Sequence, residues 1–323
     1  MNRFTRRALT MAFFALAGGV QAQGKFPDGP IRMVVPFAPG GGVDSAARLV
    51  ARQLGTNLNV SVLVENRPGA NGSVGGKVVQ TAAPDGQTIL FSASTHALVR
   101  QVMAAPPYDP VADFAPVARV GAATLMMVIS PNLAPNKLSE VIAAAKQSPD
   151  KWTAALPALG AASHLGTLMF AKQGGLTELT TAVYKGTAPA LTDVAGGHVQ
   201  IQIDAIIALQ AMAKSGKVKP IMVTSAKRSP VMPQVPTAVE SGYPRLVADS
   251  WYGIWAPKAT PPERVQFLNK AVNEAVSQLT KAGAFEAIGV DPVTEGVEDF
   301  RKYMVGYIAE SAELLKGAGF KPE

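Results

Sequence analysis

Short apolar runs alternate with stretches of helical periodicity along most of the chain. Ile31 to Phe37 (IRMVVPF) predicts a buried strand that ends at a turn. Ala47, Val50, Ala51 and Leu54 then recur at i, i+3, i+4 and i+7, one face of a helix, with Gly55 as its C-cap. Val60 to Val64 predicts a second strand, and Gly-rich 69–76 leads into another helical stretch. Thr88 to Ser92 predicts a third strand after the Asp85-Gly86 turn. Leu125–Ile129, Thr181–Tyr184, Val199–Ile203 and Ile221–Thr224 continue the series, each followed by helix or turn signals. Pro262–Leu279 and Val297–Leu315 predict two closing helices. Strands separated by helices imply parallel pairing and an α/β fold. Pro-rich stretches at 106–116 and 230–244 bracket a middle segment with its own strand–helix series, which fits two lobes with a discontinuous first lobe.

Composition narrows the chemistry. At 323 residues the chain has room for about two domains. With 48% hydrophobic and 16% charged residues it can bury a sizeable core. The absence of Cys excludes disulfides, iron–sulfur clusters, thiolate zinc sites and a Cys nucleophile. The three His, His96, His164 and His198, have no metal-ligand spacing, so neither a metal nor a cofactor is expected.

Arg3, Arg6 and Arg7 precede an apolar run, Ala8 to Val20, and then Gln21-Ala22. That is the layout of an export signal over residues 1–22, cleaved near Ala22, and it implies a periplasmic protein. Its removal takes three positive charges and no negative ones, lowering the net charge from +7 to +4. No Lys/Arg-rich run with interleaved aromatics occurs, so nucleic acid is not an expected partner.

The strongest local signal is Pro36-Phe37-Ala38-Pro39-Gly40-Gly41-Gly42-Val43-Asp44, between the first strand and the first helix. Consecutive glycines let the backbone approach a ligand and aim N–H groups outward, and the helix behind adds the positive end of its dipole. This is an anion-binding arrangement; the alternative is a flexible turn without a ligand. Asp44 is expected to cap the helix. Tyr184-Lys185-Gly186-Thr187-Ala188-Pro189 repeats the logic, with Thr187 as N-cap and Pro189 in the first turn. Asp204 closes a strand before a helix, where capping or a ligand hydrogen bond would suit it. Asp109 and Asp113 read as turn formers. Trp251, Tyr252 and Trp255 read as core, with a lining role at a cleft as the alternative. Ser163-His164 invites a hydrolase reading, but adjacent helical residues diverge by about 100° and no G-x-S-x-G elbow is present.

Several motifs together resemble the Bug-type solute-binding proteins, the tripartite tricarboxylate transporter receptors. They are Ile31–Asp44, Val64–Gly69 (VENRPG), Ala83–Gly86 (APDG), Tyr108–Pro116 (YDPVADFAP), Tyr184–Asp193 (YKGTAPALTD), Val223–Pro230 (VTSAKRSP), Val235–Thr237 (VPT) and Ser250–Gly253 (SWYG). The resemblance implies a two-lobed periplasmic-binding-protein fold of type II, each lobe a mainly parallel sheet flanked by helices. Lobe 1 would comprise 23–122 plus 248–323, and lobe 2 would comprise 123–247. It further implies no catalytic residues and a small carboxylate held by loops from both lobes. On this chain the first loop is Phe37, Ala38, Gly40, Gly41, Gly42 and Val43. The second contains Gly160, Ala161, Ala162 and Ser163. Ser94, Thr95, His96, Tyr184, Thr187 and Asp204 complete the set. The second loop here (LPALGAASH) has apolar residues where the family carries hydroxyls, and Ala205 follows Asp204 where a polar residue is usual. These departures point to an aromatic or otherwise apolar carboxylate rather than citrate. The expected partner is a tripartite-type permease or a sensor, and the expected state a monomer. The rival is an exported serine hydrolase using Ser163 or Ser94 on a small ester.

Overall fold

The computed structural model describes residues 26–323; the expected export signal at 1–22 lies outside the described residues. The strands are β1 (Ile31–Val35), β2 (Val62–Asn66), β3 (Thr88–Ala93), β4 (Phe114–Ile129), β5 (Thr153–Leu156), β6 (Thr180–Val183), β7 (Ile201–Ala205), β8 (Lys219–Val223), β9 (Asp249–Pro257) and β10 (Asp291–Pro292). The helices are α1 (Gly42–Leu58), α2 (Ser73–Gln80), α3 (Val99–Val102), α4 (Leu138–Gln147), α5 (Ala162–Gly174), α6 (Thr187–Gly196), α7 (Ile206–Lys214), α8 (Pro262–Lys281), α9 (Ala284–Ile288) and α10 (Val297–Gly317).

The strand order is β2-β1-β3-β9-β4-β7-β5-β6, with β8 and β10 also pairing β4. Parallel pairing, expected from the strand–helix alternation, joins β1 to β2 and β3, and β5 to β6 and β7. Every antiparallel pair includes β4 or β9. The 16 residues of β4 serve two halves of the molecule. Phe114–Thr124 pair with β9, and Leu125–Ile129 pair with β7. Sequence reading registers only the second stretch of β4. Its first stretch carries Pro116 and Gly121 and falls partly in a Pro-rich segment, which masks a strand.

Each half packs apolar residues on both faces of its sheet, the requirement of a three-layer α/β unit. In the first, Met33, Phe91 and Ile254 join Val50, Leu54, Leu268 and Val272 of α1 and α8. The opposite face is aromatic: Trp251, Trp255 and Phe114 pack with Tyr108, Phe300 and Met304. In the second half, Met127 and Ile203 face α4 and α5, while Met126 and Val128 face α6 and α7. Leu315, near the end of α10, joins Leu98 of the first half with Leu156 and Leu165 of the second.

Two cap assignments are corrected. Helix α1 runs past Gly55 to Leu58, and Asn59, at φ 54°, terminates it by donating its amide to the Gly55 carbonyl. Gly55 instead permits close approach, since a Cβ there would lie 3.0 Å from the Val60 carbonyl oxygen. The N-cap of α6 is Gly186 rather than Thr187, which is the first helical residue. Asp109 does form a turn: its carboxylate accepts from the Val111 and Ala112 amides.

His96 lies within this aromatic core, with its ring 4.6 Å from both Phe114 and Trp255 and its Nδ1 3.2 Å from the Tyr108 hydroxyl. Burial lowers its pKa to about 3 and that of His164 to about 4. An unfolded chain takes up a proton on each ring near pH 6.5, whereas the fold keeps both neutral. Their contribution is therefore complete above the unfolded pKa and lost as pH falls toward the folded values. Denaturant titrations should find the protein less stable at about pH 5 than at pH 7, the two rings costing on the order of 2 kcal/mol each and the raised carboxyls of Asp204 and Asp249 returning part of it; equal stability would refute this. Glycine substitutions should diverge equally clearly. A Cβ at Gly76 would overlap the Tyr108 ring, whereas none is obstructed at Gly306 within α10. Gly76→Ala should cost about 1–3 kcal/mol and Gly306→Ala should gain up to about 1 kcal/mol, as read by thermal unfolding.

Candidate functional site

Four strand-to-helix junctions meet at one cavity between the halves. Its wall comprises Phe37, Gly41, Gly42 and Val43 at the start of α1, Pro157, Ala161 and Ala162 at the start of α5, and Thr187 at the start of α6. Asp204 and Ala205 at the end of β7, just before α7, Ala93 at the end of β3 with Thr95 beyond it, and Ser250 and Tyr252 on β9 complete it. The empty space among these residues, counted out to an open mouth, is about 450 Å³. Each of these helices directly follows a strand, so its N-terminus, whose first amides lack intrahelical acceptors, borders the cavity. Four positive dipole ends thus converge on one volume. Small residues, Gly41, Gly42, Ala161, Ala162 and Ala205, keep that backbone reachable.

The amides of the two loops differ in availability. In the first loop, Ala38 donates to the Lys185 carbonyl at 3.3 Å and Gly40 to the Asp44 carboxylate at 2.9 Å. In the second, Gly160 donates to His164 Nδ1 at 3.1 Å and Ala161 to the Ala158 carbonyl at 3.3 Å. The first-turn amides of α1 and that of Ala162 have no such partner among the described hydrogen bonds. Asp44 is therefore not the N-cap, which is Gly41. From the third helical position its carboxylate reaches back to Gly40 and also accepts from Arg48 and Asn66. Burial opposes its ionisation, but these bonds together hold its pKa below the usual carboxylate range. Asn66 also donates to the Phe37 carbonyl at 3.0 Å, so the VENRPG segment fixes the Gly loop from behind.

Asp204 lies within β7 rather than beyond it and does not cap α7. Its carboxylate accepts from Thr187 Oγ1 at 2.6 Å, the Ala205 amide at 2.8 Å and Gln202 Nε2 at 3.3 Å. Burial raises its pKa, and the three hydrogen bonds offset only part of that. It is the one ionisable carboxyl among the lining residues, and no Lys, Arg or His is among them.

Phe37, Gly41, Gly42, Val43, Thr95, Ala161, Ala162, Thr187 and Asp204, all expected from sequence, line the cavity. Ala38, Gly40, Ser94, Gly160, Ser163 and Tyr184 do not. Tyr184 borders a neighbouring groove with Asn71 and Lys185, and its hydroxyl donates to Asp193 at 2.7 Å. Ser94 and Ser163 are fully buried, and neither hydroxyl has a hydrogen-bond partner. His96 belongs to the aromatic core. Ala93 and Ser250 are additional lining residues. The period of two along β9 places Ser250 on the face of Tyr252, a signal present in SWYG. Two bonds cross between the halves beside the cavity: Ala38 to Lys185, and Leu159 N–H to Asn71 Oδ1 at 3.0 Å.

Residues 46–320 match the tripartite tricarboxylate transporter family receptor. The chain is 35% identical to protein BugT of Bordetella pertussis over 322 residues, 98% of each chain. Its fold resembles that of periplasmic binding protein BugD, with a TM-score of 0.87 and 34% identity over 92% of this chain and 100% of that one. R. palustris Rpa4515 with adipate matches with a TM-score of 0.87 and 31% identity, again over 92% of this chain and 100% of that one. Such neighbours bear out the two-lobed type II binding-protein fold read from the sequence motifs. The chain belongs to the tripartite tricarboxylate transporter receptor family.

Proposed function

We propose that this protein captures a small organic acid in the inter-lobe cavity and hands it on unchanged. The observation that carries the reading is the convergence of four helix N-termini on a cavity built from both halves. Free amides stabilise an anion without any cationic side chain, and each charge-assisted hydrogen bond contributes roughly 1.5–3 kcal/mol. Four or five such donors offset the entropy of association and give roughly micromolar affinity or better.

The lobes, 23–122 with 248–323 and 123–247, close on the ligand by hinge motion. Support for closure comes from the cross-cleft bonds Ala38–Lys185 and Leu159–Asn71, which require the two halves to be in contact. The protein acts in the periplasm as a monomer and delivers its acid to a membrane permease of the tripartite type or to a sensor. The adipate carried by Rpa4515 is an unhydroxylated acid, in keeping with the apolar wall here of Phe37, Val43, Ala93, Pro157, Ala161, Ala162 and Ala205. The favoured ligand is accordingly a carboxylate with an aromatic or aliphatic body and few hydroxyls. Ester hydrolysis is disfavoured because Ser94 and Ser163 lie outside the cavity wall, with hydroxyls that bond to no imidazole.

A thermal-shift panel tests both levels of this reading. Adipate and benzoate should raise Tm, and a ligand at 100 times its Kd adds about 2.7 kcal/mol to stability. The corresponding amides should give no shift, and citrate should give less than either acid. No shift with any carboxylate would sink capture itself, whereas the largest shift with citrate would sink only the apolar preference. Burst release of alcohol from a small ester would favour the hydrolase.

A further inference from the structure

We propose that the Tyr252 hydroxyl is an additional donor to the ligand's carboxylate, an assignment that rests on the capture reading above. Tyr252 sits on β9 between Ala93 of β3 and Gly121 of β4. Its ring stacks on Phe91 with centroids 6.3 Å apart, and the residue is 1% exposed. The ring's role is packing. The hydroxyl is buried and has no hydrogen-bond partner by distance and angle, with Ser250 and Asp204 as polar neighbours, and Tyr252 is among the residues lining the ligand cavity.

Its position there is specific. A Cβ at Gly42 would lie 3.3 Å from Tyr252 Oη. The hydroxyl therefore adjoins the first turn of α1, where the amides available to an anion emerge. An acid seated on those amides brings an oxygen within reach of this O–H. Asp204, another polar side chain on the wall, already accepts from Thr187, Ala205 and Gln202. Burial pushes the phenol's pKa up, so at neutral pH the group keeps its proton and serves as a donor. A buried tyrosine hydroxyl ordinarily finds a partner, and leaving one unpaired destabilises the fold. A guest oxygen supplies the missing acceptor. The small residue at position 42 is part of the same arrangement, because a side chain there would press on Oη from one side and on Ile207 from the other.

The test compares wild type with Tyr252→Phe, which keeps the ring and removes only the oxygen. Calorimetric titration with adipate and benzoate should show affinity roughly 10- to 100-fold weaker in the variant. The ligand-free variant should unfold at the wild-type temperature or above it, since an unpaired buried hydroxyl has been removed. Equal affinity would overturn the assignment, as would an affinity loss accompanied by a lower Tm of the ligand-free variant, which would trace the effect to packing. Wild-type protein that binds neither acid nor any other carboxylate overturns the capture reading, and the Tyr252 contact falls with it.

Discussion

The amides of a helix's first turn have no acceptor within the helix, and this unmet requirement organises the molecule. In a parallel strand–helix unit the strand's end and the next helix's start lie at the same edge of the sheet. Here β1 feeds α1, β5 feeds α5, β6 feeds α6 and β7 feeds α7. Juxtaposing those edges across a cleft gathers the unmet donors of all four junctions. In the proposed capture, anion affinity follows from chain topology, and the side chains at the junctions need mainly to be small.

Charge balance constrains the site further. No cationic side chain is among the lining residues, while one carboxyl, Asp204, is. An acid entering the cavity meets dipoles and neutral donors, and its negative head is disfavoured near Asp204. Thr187 Oγ1 donates to Asp204, so its proton is already committed and its lone pairs are left for the cavity. The wall is accordingly polarised: amide donors at α1 and α5 suit the carboxylate, and the Thr187–Asp204 pole suits a neutral or donating part of the ligand. In the proposed capture, selectivity among acids is governed by what each presents at that second pole.

Strand and helix positions were legible because burial on both sheet faces imposes apolar runs, and a helix packed on a sheet imposes a stripe. The first anion loop was legible because three consecutive glycines following a strand have few structural uses. Harder to read was anything set by which amide is already engaged. Gly160 and Ala161 resemble donors in sequence, yet His164 and the Ala158 carbonyl take their protons. Asp44 and Asp204 both sit where capping residues sit, and both turned out to anchor tertiary hydrogen bonds. The long strand β4 was half hidden because its pairing changes partner midway, which no local periodicity encodes.

That change of partner has a physical consequence for how the halves are joined. The chain passes between the halves at Thr124–Leu125 and again between β8 and β9. Thr224, just beyond β8, ties these crossings together. Its Oγ1 accepts from the Leu125 amide at 3.0 Å, and the same hydroxyl lies within donating distance of the Ala248 carbonyl. Thr224 is fully buried, so competition from water at these bonds is weak. The Thr224 amide also donates to the Leu125 carbonyl at 2.9 Å, so one residue pins both crossings. The VTSAKRSP motif therefore lies outside the cavity wall yet fixes the two chain crossings relative to each other, and in the proposed closure it sits where the halves pivot.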